Sequence, residues 1–232
     1  MSNEFDPYKH TYRDEVQRAI GFAGQDLDFF TELKARLLGE LAEQALGPSG
    51  SLSVLDVGCG VGLTDAALGG RFASLQGVDV SEGAIEEAAT TNPDVGYAAY
   101  DGRTLPFTDD TFDLSFAICV LHHVDRTARA DFVREMRRVV RPGGVVVAIE
   151  HNPYNPLTRA AVSRCEFDDG VQLLRRSEVR GLFARAGLAP VASPYILLFP
   201  WRAEVFRRAE RGLGWLPAGA QYLAAGRKGR TD

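Results

Sequence analysis

The apolar residues divide the chain into two textures. Over residues 12–46 they recur at helical spacing: Val16 and Ile20, then Phe30, Leu33, Leu37 and Leu41. Gly21 and Gly24 break that stretch into two helical pieces, and Gly47-Pro48-Ser49-Gly50 predicts a loop. Beyond it, short apolar runs alternate with helical patterns. Strands are expected at Leu52–Val57, Leu75–Val80, Val95–Tyr100, Phe112–Cys119 and Val145–Glu150. Between them lie a helix start at Leu63–Leu68, a helix at Glu82–Thr91 and an amphipathic helix at Arg126–Val140, ended by Pro142-Gly143-Gly144. The alternation is then interrupted by an irregular insert, residues 151–176. A helix capped by Ser177 and closed by Gly187 follows, with a strand at Leu188–Phe199 restricted by Pro190 and Pro194. A second insert, Pro200–Pro217, reads helical around Ala203–Arg211, and Gln221–Ala225 is a last strand that must return to the sheet.

Strands alternating with helices require a parallel sheet with right-handed crossovers, so the expected fold is a doubly wound α/β domain. The length of 232 residues allows one such domain with appendages. The expected division is a helical lid at 1–50, a core at 51–150, and substrate-side inserts at 151–176 and 200–217. A net charge of −5 argues against a nucleic-acid partner, which would require a basic face. Three cysteines without paired spacing form neither a disulfide framework nor a zinc motif. MSNEFDPYKH carries no secretory pattern, and no apolar run is long enough to span a bilayer, so a cytoplasmic location is expected.

The sharpest motif is Val54-Leu55-Asp56-Val57-Gly58-Cys59-Gly60-Val61-Gly62, where glycines at alternate positions leave a strand and enter a helix. Glycine permits the tight turn and lets backbone approach a ligand. Nucleotide, dinucleotide and S-adenosylmethionine binders all use such loops, but the dinucleotide form wants a small residue where Leu63 stands. A carboxylate at Asp56 gains nothing beside a pyrophosphate, whereas beside a cation it is stabilising. Asp79 ends the second strand, where a carboxylate can accept from both ribose hydroxyls; its alternative is a helix cap, for which Ser81 serves equally well. The carboxyl ends of the first four strands face one crevice, so Asp56, Asp79 and Asp101 should converge.

From Val54 to Ile149, the L-D-V-G-C-G-x-G, D-G-x-x-L-P-F-x-D-x-x-F-D and R-P-G-G motifs resemble the small-molecule branch of the class I S-adenosylmethionine-dependent methyltransferases. The resemblance implies a Rossmann-like, mostly parallel seven-stranded sheet with an antiparallel last strand, and N-terminal helices and inserts as a cap. It implies S-adenosylmethionine as cofactor. Gly58, Gly60 and Gly62 would pack against its methionine part, with Asp56 supporting the ammonium and Cys59 a small packing residue among the cofactor-binding positions. Asp79 would bind the ribose, with Val80 a further cofactor-binding position, Asp101 and Gly102 would meet the adenine, and Ala117–Cys119 the sulfonium side.

A hydroxyl acceptor usually needs a base, and His123, His122 and His151 at strand ends are the catalytic candidates. Packing of one member of the His122-His123 pair against the crossover helix is the competing reading. Glu150, Asn152 and Tyr154 lie in a polar, proline-stiffened stretch read as substrate-facing, and Tyr12 and Trp201 are further candidates for the acceptor wall. The histidines with Glu150 could ligate a metal, but their spacing does not support it, so none is expected. The expected activity is O-methylation of a hydroxyl or carboxyl on a small specialised metabolite by a monomer or homodimer. N- or C-methylation, non-transfer chemistry and a non-catalytic binding subunit are the alternatives. The motif used for methylating planar nitrogens is absent after the fourth strand, where Cys119-Val120-Leu121-His122 stands.

Overall fold

The computed structural model describes residues 12–21, 26–168, 170–199, 201 and 203–230. Five parallel strands form the sheet body: β1 (Ser53–Val57), β2 (Ser74–Asp79), β3 (Gly96–Ala99), β4 (Phe112–Ile118) and β5 (Val140–His151). The order is β3-β2-β1-β4-β5, continued by β8 (Gln221–Arg227) and β6 (Ala189–Ala192). β8 runs antiparallel to both its neighbours, and β7 (Tyr195–Ile196) also pairs with it. The expected seventh position is therefore occupied by two short pieces. Ser193-Pro194 splits them, because proline has no N–H for the ladder; its carbonyl still accepts from Leu223 N at 2.9 Å.

Side-chain alternation in the strands builds a core on each face. Val145, Val147 and Ile149 of β5 join Val54, Leu114 and Phe116 beneath α2 (Leu27–Leu46) and α3 (Leu63–Leu68). Val146 and Ala148 join Leu55, Val57 and Ala117 beneath α5 (Arg129–Val139) and α7 (Arg176–Arg185). The central strands β1, β4 and β5 are buried on both faces, which is why they read as near-continuous apolar runs. The remaining helices are α1 (Tyr12–Ile20), α4 (Glu82–Thr91), α6 (Pro156–Val162) and α8 (Glu204–Leu213). Among the described residues no helix is long and apolar enough to cross a membrane.

Three boundaries differ from the sequence expectation. β5 begins at Val140, paired with Phe112; the register then shifts so that Leu114 meets Val145, and Pro142-Gly143-Gly144 forms an irregularity within the strand. A Cβ on Gly144 would lie 2.6 Å from Asp113 O, which explains the glycine. α5 starts at Arg129, after a turn in which Ala128 N donates to Asp125 O. α7 starts at Arg176, and Glu178 reaches back to accept from Arg175 N at 2.7 Å, a role expected of Ser177 as cap.

The L-P-F-x-D stretch is built around one guanidinium. Arg138 donates to Leu105 O (3.0 Å), Phe107 O (2.8 Å) and Asp109 (2.8 Å) and pairs with Glu135, which itself accepts from Leu105 N. These bonds tie the segment before β4 to α5.

Candidate active site

At the carboxyl end of β1 the chain turns sharply. Gly58 N and Cys59 N both donate to Val78 O, at 2.7 and 3.1 Å, fastening the turn to β2. Gly58, Gly60 and Gly62 all have positive φ: 81°, 53° and 74°. Their surroundings differ. A Cβ on Gly58 would lie 2.5 Å from a Val120 methyl, and one on Gly62 would lie 2.6 Å from Asn92 Nδ2 and Tyr97 Oη. A Cβ on Gly60 would meet nothing within 4 Å. Gly58 and Gly62 are demanded by packing, while Gly60 faces open space.

Asp79 locks this loop: Oδ2 accepts from Gly60 N at 2.9 Å and Oδ1 from Ser81 N at 3.0 Å. Ser81 itself caps α4 by accepting from Ala84 N, so Asp79 is not the cap. Burial pushes the Asp79 carboxyl up, and its backbone donors hold it partly down. Gly102 packs against Val80, with a Cβ position 3.1 Å from Val80 Cγ1. Asp101 is exposed, and its Oδ1 accepts from Arg103 N and Thr104 N, both at 2.8 Å. Those two donors hold its carboxyl below the usual range.

Beneath the loop lies a pair that the sequence did not reveal. Asp56 and Asp65 are both buried and interact, and Asp65 Oδ2 accepts from Tyr97 Oη at 2.8 Å. Oδ1 of each has no hydrogen-bond partner among the described residues. Burial first, then the Asp65 charge, drives Asp56 well above the ordinary carboxylate range. Burial raises Asp65 to about 6, against hydrogen bonds with Tyr97 and Asp56 that pull it down. In the sequence Asp65 reads as a first-turn helix acid, and nothing local marks it as buried.

A second cluster forms where β4 and β5 end. Cys119 takes a positive φ of 58° and turns the chain, its N–H donating to Ile149 O at 2.8 Å. Glu150 then gathers the turn: Oε1 accepts from Val120 N (3.0 Å) and Leu121 N (2.7 Å), and Oε2 lies 2.7 Å from His122 Nδ1. Burial alone would lower His122, but Glu150 and Asp168 outweigh it and lift the imidazole to about 9. His123 carries 21% side-chain exposure against 1% for His122, and its Nε2 lies 3.2 Å from Asp168 Oδ1. Asp168 comes from the first insert and also stands 3.4 Å from His122 Nε2. His151 packs 5.2 Å from His122 between ring centroids, and burial followed by the His122 charge drops it to about 4. Gln221 Nε2 reaches Cys119 Sγ at 3.1 Å and His151 Nδ1 at 3.4 Å. Burial pushes the Cys119 thiol up to about 12. The two clusters are neighbours: Val120 packs on Gly58, and Asp79 feels the His123 charge.

Several expected site residues have other work. Glu150 is buried and spends both oxygens on the β4 turn, so it does not face a substrate. Asn152 is also buried, donating to Pro217 O and Gly219 O and accepting from Tyr154 N; it pins the first insert to the loop before β8. Ala117 lies in the sheet core rather than on the crevice. His122 is enclosed between Glu150 and Asp168, leaving His123 as the more exposed member of the pair. Tyr154 is exposed, and Trp201 stacks with Phe199 and Phe206 on the surface; neither is among the described residues that meet at His122. The side chain of Tyr12 lies outside the described residues. Asp168, absent from the expected set, is the insert's contribution to the cluster.

Residues 55–148 match the family described as a methyltransferase domain. Methyltransferase GfsG of Streptomyces halstedii is 36% identical over 141 residues, covering 57% of this chain and 49% of that protein. The chain thus spans about half the length of this curated relative. Among solved structures, one from a complex of the Haloferax volcanii Trm112 methyltransferase activator with a methyltransferase superposes with a TM-score of 0.67 at 20% identity, covering 99% of both chains. Geranyl diphosphate methyltransferase, solved with S-adenosylmethionine, gives 0.60 at 22% identity over 85% of each chain. The glycine turn, the acidic strand ends and the antiparallel β8 stand within that shared fold. Residues 55–148 are thus similar to a methyltransferase domain, in a fold shared with solved methyltransferases.

Proposed function

We propose that the protein transfers a methyl group from S-adenosylmethionine to an oxygen, hydroxyl or carboxyl, of a small molecule. The cofactor supplies a methyl carbon already bonded to a good leaving group, so the protein must chiefly align the partners and exclude water. One observation carries the cofactor assignment. Asp56 Oδ1, buried and without a partner among the described residues, lies under a loop whose Gly60 opens to free space. A buried carboxyl oxygen left without a partner beside a second carboxyl fits a cationic ligand, which would favour its charged form. In this reading Asp56 faces the ammonium and Gly58, Cys59, Gly60 and Gly62 shape the methionine side. Asp79 and Val80 take the ribose, and Asp101 with Gly102 takes the adenine. Cys119, turned by its positive φ, borders the sulfonium side.

The acceptor side is the cavity of about 860 Å³ lined by Arg159, Cys165, Glu166, Asp168 and Leu173. It shares Asp168 with His123, which supports His123 as the polar group that meets the acceptor oxygen. Incubation with methyl-labelled S-adenosylmethionine and a panel of small hydroxy and carboxy compounds tests the reading. Label on a small acceptor is expected. An acceptor consumed while all label stays on the cofactor would overturn it in favour of non-transfer chemistry.

A further inference from the structure

We propose that His122, His123 and Asp168 form a binding site for a first-row divalent metal ion. This deepens the reading of the acceptor side above and rests on it for its catalytic meaning, though not for the binding itself. Metal bonds of roughly 2.0–2.1 Å to nitrogen and oxygen imply ligand-to-ligand edges of about 3.3–3.4 Å in a tetrahedron. Asp168 Oδ1 stands 3.4 Å from His122 Nε2 and 3.2 Å from His123 Nε2. Two of the three edges therefore already match those of one ion, and the three residues each offer a ligand atom within 4.8 Å of the others.

The surroundings match the requirement as well as the donors do. A metal-bound histidine usually gives its other ring N–H to a carboxylate, which fixes its tautomer and orientation. His122 Nδ1 lies 2.7 Å from Glu150 Oε2, and Glu150 is itself fixed by Val120 N and Leu121 N. The ring that would present Nε2 is thus held rigidly from behind. Glu150 and Asp168 also place two negative charges around the site, which a cation balances. Two imidazoles and one carboxylate suit zinc, iron, cobalt or manganese better than the hard all-oxygen sites of calcium.

Three protein donors leave a coordination position open, the arrangement of catalytic rather than structural sites. That position lies beside the cavity Asp168 helps to line, so the ligand class it takes is an acceptor oxygen. Bound there, a hydroxyl becomes easier to deprotonate, and His123 meets the acceptor through the ion. Sequence spacing concealed the site because its carboxylate comes from the distant first insert.

The test uses tag-free protein dialysed against a chelator and then against buffer. CoCl₂ is followed by its visible ligand-field absorption and ZnCl₂ by calorimetry. One equivalent should bind, and Asp168→Asn and His123→Ala should each weaken binding by at least about 10-fold. Asp168→Asn preserves shape and one oxygen, so it reports on ligation rather than folding. Absence of stoichiometric uptake by the parent protein, or parent-like affinity in both variants, overturns the proposal. S-adenosylhomocysteine calorimetry on the same samples reads the cofactor assignment separately. Metal uptake without cofactor binding refutes only the latter, and the reverse refutes only the metal site.

Discussion

Replacing Asp65 by asparagine isolates the cost of the second buried carboxylate beneath the glycine loop. The folded protein raises the Asp65 carboxyl from 3.8 to about 6. The fold therefore binds the proton more tightly than the unfolded chain, and stability falls as pH rises through that window. That shift costs up to about 3 kcal/mol at pH 7.5 and well under about 1 kcal/mol at pH 4. Asparagine removes the charge, keeps an acceptor for Tyr97 Oη, now 2.8 Å away, and offers Asp56 an amide donor. Asp65→Asn should then stabilise the fold by about 1–3 kcal/mol at pH 7.5, raising the thermal midpoint by roughly 2–12 °C. At pH 4 the two proteins should nearly coincide. Urea unfolding at both pH values gives the answer. A loss of stability at pH 7.5, or an equal gain at both, refutes the picture of an Asp65 carboxylate held ionised against its burial. Stabilisation with weakened cofactor binding is the expected trade, since sites built for a cation store electrostatic strain.

Other residues give contrasting outcomes. Gly60→Ala should cost only about 1–3 kcal/mol of backbone strain but abolish most cofactor affinity, because its Cβ points into open space. Gly62→Ala, whose Cβ would meet Asn92 and Tyr97, should destabilise the fold more; identical behaviour in unfolding and calorimetry would undo the distinction. Glu150→Ala should lose about 3–5 kcal/mol in urea unfolding, because two backbone N–H groups and His122 Nδ1 lose their buried acceptor. A change under about 1 kcal/mol would remove Glu150 from its positioning role. His123→Ala should slow methyl transfer about 10²-fold while S-adenosylhomocysteine affinity holds, and a rate within a few-fold of the parent would return His123 to packing.

What the sequence made legible was local. β1 and β5 announce themselves because both their faces are buried, and α3 and α4 are bounded by Gly62 and Ser81, whose local chemistry is sufficient. The boundary of β5 was hidden because its start depends on Phe112 pairing with Val140 across the sheet, while Pro142-Gly143-Gly144 looks like a stop. The same limit applied to the site. Asp79 and the glycines follow from their own neighbours in sequence. Glu150 was assigned to substrate because its position at a strand end is visible but the β4 turn that consumes its oxygens is not. Asp65 and Asp168 gain their meaning from Tyr97, Asp56 and the histidines, contacts that exist only once the chain has folded. Charge patterning could not separate them from ordinary surface acids.

The central claim is that the ends of β1 and β2 hold S-adenosylmethionine through Asp79 and the Gly60 loop. Calorimetric titration with S-adenosylhomocysteine, parent protein against Asp79→Ala, tests it most directly. The parent should bind one equivalent, and the variant should bind about 10- to 150-fold more weakly, the equivalent of about 1.5–3 kcal/mol for charge-assisted hydrogen bonds. No binding by the parent, or an Asp79→Ala affinity equal to it, would contradict the account.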